Sequence, residues 1–356
     1  MADPDTDVWL LIRADSDSAL AGRLAELLRF WGCADDADRV RRIHGLRGDA
    51  GLPRFGLDES AYEDLARRCT HIIHCAGTVR MNLELDKARR SAVGSAEQIL
   101  SLARRITEAG QLAKVDFVST VGVAGKRSGT LPEAWLDEMP AFHNTYEQAK
   151  AEAEVVIRQA IDQERLPITV HRPSMVIGDS RDGHVIHFQI FYFICEFLSG
   201  RKTAGLFPNF AGTQLDVIPC DTVAAAIVAA SRDVTTSGRV FHLCSGPAIA
   251  PTLEQVKATT REAFVRHGLK VPPAINLPLK WYGRLAQAAA WLAPPSQRRT
   301  LATLPMYLNY LADRQGFGNE IFRTWLSEQG QQVPHPEHYL AIALDHYLCV
   351  KHPPAD

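Results

Sequence analysis

The sequence predicts an α/β fold, a parallel sheet covered by helices on both faces, accompanied by a smaller and mainly helical lobe. Three observations carry this. Short β-branched runs alternate with longer segments of helical period over the first two-thirds of the chain, the pattern of parallel strands joined by crossover helices. The short runs are apolar almost throughout, as strands buried on both faces must be. After Gly246 the alternation stops and only helical periodicity remains.

Taken in order, the strands are expected at Val8–Ile12, Val40–His44, His71–His74, Val115–Ser119, Ile168–His171 and Val240–Leu243. Helices fit between them at Ser18–Phe30, Ala88–Ala109, Thr145–Gln159 and Thr222–Ser231. Asn144 and Glu147 can cap the third of these, because a short polar side chain accepts from N–H groups that the first helical turn leaves unpaired. Thr252–His267 opens on Thr252 and Gln255, the spacing of a capping box, and further helices run on to Leu348. The sheet domain would then comprise 1–181 and 213–246, and the helical, substrate-binding lobe 182–212 and 247–356.

A chain of 356 residues with 46% hydrophobic content can fill both cores. A formal net charge of -2, with acidic and basic residues interspersed, gives no broad attraction for nucleic acid or an anionic membrane. The seven cysteines are scattered, with no CxxC pair and no zinc spacing, so they read as reduced packing residues of a cytoplasmic protein and no metal site is expected. The acidic start lacks the build of a secretory signal, and no run of about 18 apolar residues follows, so no transmembrane segment is expected.

The chemistry lies in three residues. Tyr146 and Lys150 are four apart and project from one helix face. A nearby ammonium favours tyrosinate, lowering the phenol from its ordinary pKa of about 10 towards neutrality, where it can exchange a proton with a substrate oxygen. Thr120 follows the strand Val115–Ser119 at its carboxyl end, the edge of an open α/β sheet where ligands bind, and its hydroxyl can hold the same oxygen. A Tyr four residues before a Lys says little alone. Here the strand ending in Ser119-Thr120, the capped helix, and a strand running into Arg172-Pro173 follow one another in the order that brings them to one sheet edge.

These residues resemble the extended short-chain dehydrogenase/reductase superfamily, and within it the thioester reductase and fatty acyl-CoA reductase branch. Arg172-Pro-Ser-Met-Val-Ile-Gly-Asp-Ser-Arg-Asp-Gly183 is the most telling segment, supported by His74-Cys-Ala-Gly-Thr-Val79, Leu215-Asp-Val-Ile-Pro-Cys-Asp221 and Phe317-Gly-Asn-Glu-Ile-Phe322. The resemblance implies a Rossmann-like sheet and hydride transfer from NADPH, rather than NADH, to an acyl thioester on coenzyme A or a carrier protein, giving an aldehyde or alcohol. It makes Thr120 the oxyanion holder, Tyr146 the proton donor and Lys150 the ribose contact that lowers the phenol's pKa. Arg13 and Arg23 would fork onto the 2'-phosphate, Asp49 would meet the adenine, and Ala76, Gly77, Ser119, Pro173 and Ser174 would line the cofactor. The alternatives are surface arginines, a turn aspartate and tight-turn residues. For the whole protein the alternatives are a dehydrogenase of a lipid or steroid alcohol or ketone, and a cofactor-free binding protein.

One departure stands out. The family begins with a strand, a glycine-rich turn and a helix, and only seven residues precede Val8, where that unit needs about 30. The absent strand is the central one, so the strands at Val8 and His71 should be unpaired on one side or forced together. A longer natural chain, a rearranged sheet and a member that no longer binds cofactor all remain open. Ser91, where relatives usually carry Asn, is a smaller departure. On the substrate side, the aromatic run His187–Leu198 reads either as a greasy channel or as plain core, and Leu279–Leu292 as a surface for a membrane or carrier protein or as packing within the helical lobe.

Overall fold

The computed structural model describes residues 6–209, 212–278, 281, 282, 284 and 315–353. Its contacts divide the chain into two compact units, Met1–Phe117 with Asn144–Ile168, and Val118–His143 with Thr169–Asp356.

In the first unit, β1 (Val8–Ile12) pairs in parallel with β2 (Ile43–Arg47), Val8 opposite Ile43 and Ile12 opposite Arg47. The crossover α1 (Asp17–Phe30) starts where Ser16 Oγ accepts from Ala19 N–H at 3.1 Å. The second strand begins three residues later than the sequence pattern places it. Asp36 accepts from Arg39 N–H at 3.0 Å and starts a short helix α2 (Ala37–Arg41), which takes up Val40. After α3 (Glu59–Arg68), β3 (His71–His74) pairs in parallel with β4 (Lys114–Val118).

The helix expected at Ala88–Ala109 is three pieces: α4 (Leu85–Arg89), a π turn over Arg90–Gly94, and α5 (Ser95–Glu108). Such π turns lie often at functional sites. Beside them runs α6 (Thr145–Glu164), capped as expected by Asn144, whose Oδ1 accepts from Glu147 N–H at 3.0 Å. Forked ion pairs fix it on both sides: Arg89 holds Glu152 through two bonds of 2.7 Å, and Arg104 holds Glu164 at 2.6 and 2.7 Å.

The second unit contains β5 (Gly129–Leu131), β6 (Ile168–Pro173), β7 (Met175–Ile177), α7 (Ile190–Leu198), β8 (Leu206–Pro208), β9 (Val217–Pro219), α8 (Cys220–Ser231), β10 (Val240–Leu243), α9 (Leu253–Arg266), β11 (Ile275–Leu277), β12 (Gln315–Phe317), α10 (Glu320–Glu328) and α11 (Pro336–Lys351). Parallel ladders join β6 to β10, β7 to β9, β8 to β11 and β5 to β12. The Thr252–Gln255 capping box forms. The expectation of helices alone after Gly246 is corrected: β11 and β12 have three residues each, too few for a periodic pattern to register.

The aromatic run packs as core. Phe191, Tyr192, Ile194, Cys195 and Leu198 are buried with Phe264, Tyr339 and Leu344, while Phe193 is exposed. Almost all of Leu279–Leu292 lies outside the described residues. Among the described residues, no helix is long and apolar enough to cross a membrane.

Candidate catalytic and cofactor site

Lys150 lies on the buried face of α6, only 7% exposed. Its ammonium stands 4.9 Å from the centroid of the Phe117 ring, a cation–π contact, and Phe117 in turn lies against the His74 ring at 5.3 Å. Burial pushes the ammonium down to about 8, against the opposing pull of Glu154 one turn further on and of Cys75. The same burial, with Lys150's charge added, holds His74 neutral at about 3, and His74 Nε2 meets Ser95 Oγ at 3.2 Å. Near neutral pH, then, a lysine in an apolar pocket keeps its charge but holds it weakly.

Tyr146 is half-buried one turn before Lys150 on the same helix. The first turn that carries it is anchored twice, by the Asn144 cap and by Thr145 Oγ1, which donates to Leu83 O at 2.7 Å. The sequence gives no site role to Phe117, His74 or Glu154. For Glu154 the available signal was its four-residue spacing from Lys150; the other two reach the ammonium only through tertiary packing.

A cavity of about 1070 Å³ opens in the same unit, and Arg13, Arg23, Asp49, Ala76 and Gly77 all line it. Arg13 Nε pairs with Asp49 Oδ2 at 2.8 Å, and the Arg23 guanidinium donates to Arg13 O. Asp49 Oδ1 also accepts from Gly51 N–H at 2.9 Å. Burial works against ionisation of Asp49, but the Gly51 N–H and Arg13 outweigh it and hold the carboxyl below its ordinary range. Gly48 is required here, since a Cβ would lie 2.5 Å from Leu11 Cδ1 and 2.6 Å from Phe55 O. Across the cavity, Ser91 Oγ accepts from Thr78 N–H at 3.1 Å, so the serine found in place of the usual asparagine still ties the loop after β3 to the π turn.

The other candidates belong to the second unit. Thr120 Oγ1 accepts from Gly122 N–H at 3.1 Å, capping a short turn after β4. Ser119 donates its N–H to His171 O at 2.6 Å, and its buried hydroxyl has no hydrogen-bond partner. Pro173 ends β6, and Ser174 N–H donates to Leu243 O at 3.0 Å.

Tested against a dinucleotide, these residues fit in part. The guanidinium groups of Arg13 and Arg23 with Asp49 suit an adenosine carrying a phosphate, and the orphaned hydroxyl of Ser119 has hydrogen bonds to give. The pyrophosphate is different. The glycines lining the cavity, Gly48 and Gly51 in the loop after β2 and Gly77 in the loop after β3, open no α-helix, so among the described residues these glycines offer no row of helix-start amides to the cavity.

Residues 2–227 match an NAD-binding family described as male sterility protein. The isonitrile lipopeptide synthase of Streptomyces coeruleorubidus is 30% identical over 226 residues, covering 63% of this chain and 15% of that protein. The large subunit of L-2-aminoadipate reductase from Penicillium chrysogenum is 26% identical over 260 residues, 68% of this chain and 18% of that protein. The chain thus spans less than a fifth of either relative. Among solved structures, the terminal R domain from the myxalamid PKS-NRPS biosynthetic pathway superposes with a TM-score of 0.80 at 24% identity, over 98% of this chain and 85% of that one. The two share a Rossmann-like fold.

Proposed function

Because the chain belongs to the male sterility protein family of NAD-binding domains, we propose that it reduces an acyl thioester, held on coenzyme A or a carrier protein, to an aldehyde or alcohol with NADPH. It is an oxidoreductase of the extended short-chain dehydrogenase/reductase type, in the thioester reductase branch, and works with a nicotinamide cofactor. The choice of NADPH rests on Arg13 and Arg23 at one cavity, where two guanidinium groups favour an added phosphate. The thioester rests on the relatives, among them an isonitrile lipopeptide synthase and an L-2-aminoadipate reductase.

The buried ammonium of Lys150, one turn from Tyr146, carries the mechanism. The cofactor supplies hydride, which no side chain can. As the carbonyl carbon gains that hydride, its oxygen gains negative charge, and Tyr146 gives it the phenolic proton. Lys150 holds a positive charge beside the phenol, favouring the tyrosinate left behind. Thr120 takes the role of a donor to the same oxygen on the strength of the family resemblance. The carbon–sulfur bond then breaks and the thiol leaves with the aldehyde.

Loss of NADPH absorbance with an acyl-CoA panel tests the proposal. Tyr146→Phe should lower turnover by about a hundred- to ten-thousand-fold with the fold intact, and turnover should fall as pH rises above about 8, where Lys150 loses its charge. A Tyr146→Phe protein as active as its parent would refute the assignment. A second reading, a cofactor-free binding protein, draws on the absence, among the described residues, of glycine-opened helix-start amides along the cavity; NADPH binding in the micromolar range by calorimetry would exclude it.

A further inference from the structure

Phe117 is placed to do more than fill the core of the first unit. Side chains alternate between the two faces of a sheet, so residues opposite each other in a parallel register share a face. His74 and Phe117 are such a pair, and their rings lie 5.3 Å apart. Lys150 of α6 meets that face: it is only 7% exposed, and its ammonium stands 4.9 Å from the centroid of the Phe117 ring. His74 is itself tied down. Its Nε2 meets Ser95 Oγ at 3.2 Å, and that hydroxyl donates to Ser91 O at 2.8 Å where α5 begins. The fully buried Phe117 ring thus touches both a pinned imidazole and a buried cation.

The charges nearby explain why a ring suits this position. Side chains of an α-helix lean toward its N-terminus, so Lys150 leans toward Tyr146, one turn before it, and the buried Glu154, one turn after, leans toward Lys150. Glu154 and Cys75 both pull on the ammonium, and His74 feels its charge. His74 is neutral, and burial raises the Cys75 thiol above its ordinary 9.0, so Glu154 is the one charged group of these three near neutral pH. Burial alone favours loss of the proton from Lys150. An aliphatic side chain at position 117 would leave that penalty whole, and a carboxylate would bind the ammonium through its oxygens and compete with the phenol. A ring face attracts the charge and carries no oxygen.

We propose that Phe117 is a positioning residue for the reductase, whose ring face holds the Lys150 ammonium charged beside Tyr146. In this role it acts through Lys150 alone. The consequence for turnover rests on the reductase reading; the hold on Lys150 does not.

The test is a titration of Lys150 in the intact chain, followed by carbon NMR of lysine labelled at Cε, with the signal identified by its loss in Lys150→Met. Replacing Phe117 by monofluorinated and then trifluorinated phenylalanine weakens the ring face in steps with little change of size. The Lys150 midpoint should fall with each step, and by about one pH unit in Phe117→Leu, where the ring is gone. The alkaline fall of turnover should move to lower pH with it, while the melting temperature of the fluorinated proteins holds. A residue that only fills space would respond to leucine and not to fluorine. A midpoint unmoved by trifluorination would therefore overturn the proposal, whether or not Phe117→Leu folds. Thioester turnover with an unmoved midpoint would sink the proposal alone; a midpoint that falls in steps in a protein that reduces no thioester would sink the reductase reading and leave the hold on Lys150 standing.

Discussion

Two strands of similar composition meet opposite fates in the two units. β1 is Val-Trp-Leu-Leu-Ile and is half-buried along its whole length; β10 is Val-Phe-His-Leu, one residue more polar, and is buried at every position. The difference is in the neighbours. Phe241 of β10 stacks on Trp325 at 5.0 Å and packs against Phe322 at 5.9 Å, and the His242 N–H reaches Glu133. Around β1 only one edge is paired among the described residues, and the other borders a cavity. Apolar sequence earns a strand its place in the fold, but the elements packed around it decide how much stability that placement yields.

The sharpest way to break this comparison is at Phe241. Truncation to alanine removes a fully buried ring between Trp325 and Phe322 and should cost about 3–5 kcal/mol by denaturant melts. A cost near zero would mean that the second unit is no better packed than the first.

Buried charges extend the comparison, because Lys150 in the first unit and Glu133 in the second titrate in opposite senses. Lys150 is held at about 8, below its ordinary 10.5, so the folded state prefers it neutral and pays for the ammonium at pH 7. Lys150→Met should therefore stabilise the protein at pH 7 by about 2–3 kcal/mol. That advantage should fade between pH 8 and 10.5, as the parent sheds the proton, and activity should be lost throughout. Glu133 behaves in reverse. Burial raises it to about 7 even though it accepts from the N–H groups of His242, Ile321 and Phe322. Its contribution is fully present below its ordinary 4.5 and is lost as pH rises through 7. Relative to the parent, Glu133→Gln should thus gain about 2 kcal/mol between pH 4.5 and 7, read from urea melts at a series of pH values.

Much of this was legible in the sequence. β1, β3 and β10 fall where the short apolar runs predict, since each is bounded by turn or polar residues, and α6 begins at Asn144 because an N-cap is a local device. β2 was displaced by another local device, the Asp36 cap that extends a helix across Val40. Tertiary facts were out of reach. Arg13 and Asp49 were read as separate cofactor contacts, yet opposite charges brought to 2.8 Å by neighbouring strands also bind each other. The apolar company of Lys150, Phe117 and His74, comes from a different strand each, and no spacing along the chain encodes it. Unpaired edges at Val8 and His71 were one of two arrangements the sequence left open, and the structure shows both edges bordering one open cavity among the described residues.

The smallest effect should appear at Ile73, and it separates two explanations of that cavity. If β3's outward edge borders open space, Ile73→Ala removes a side chain that is already 45% exposed and has little to lose. The cost should then be about 0.5 kcal/mol or less, far under the 2–5 kcal/mol of a buried isoleucine. If the edge is covered in solution, the same truncation leaves a cavity against whatever covers it and the cost rises into the buried range. Thermal melts of Ile73→Ala, set beside those of Ile72→Ala on the buried face of the same strand, read the difference directly: unequal costs mean that the two faces of β3 are as dissimilar in water as their exposures of 45% and 7% make them.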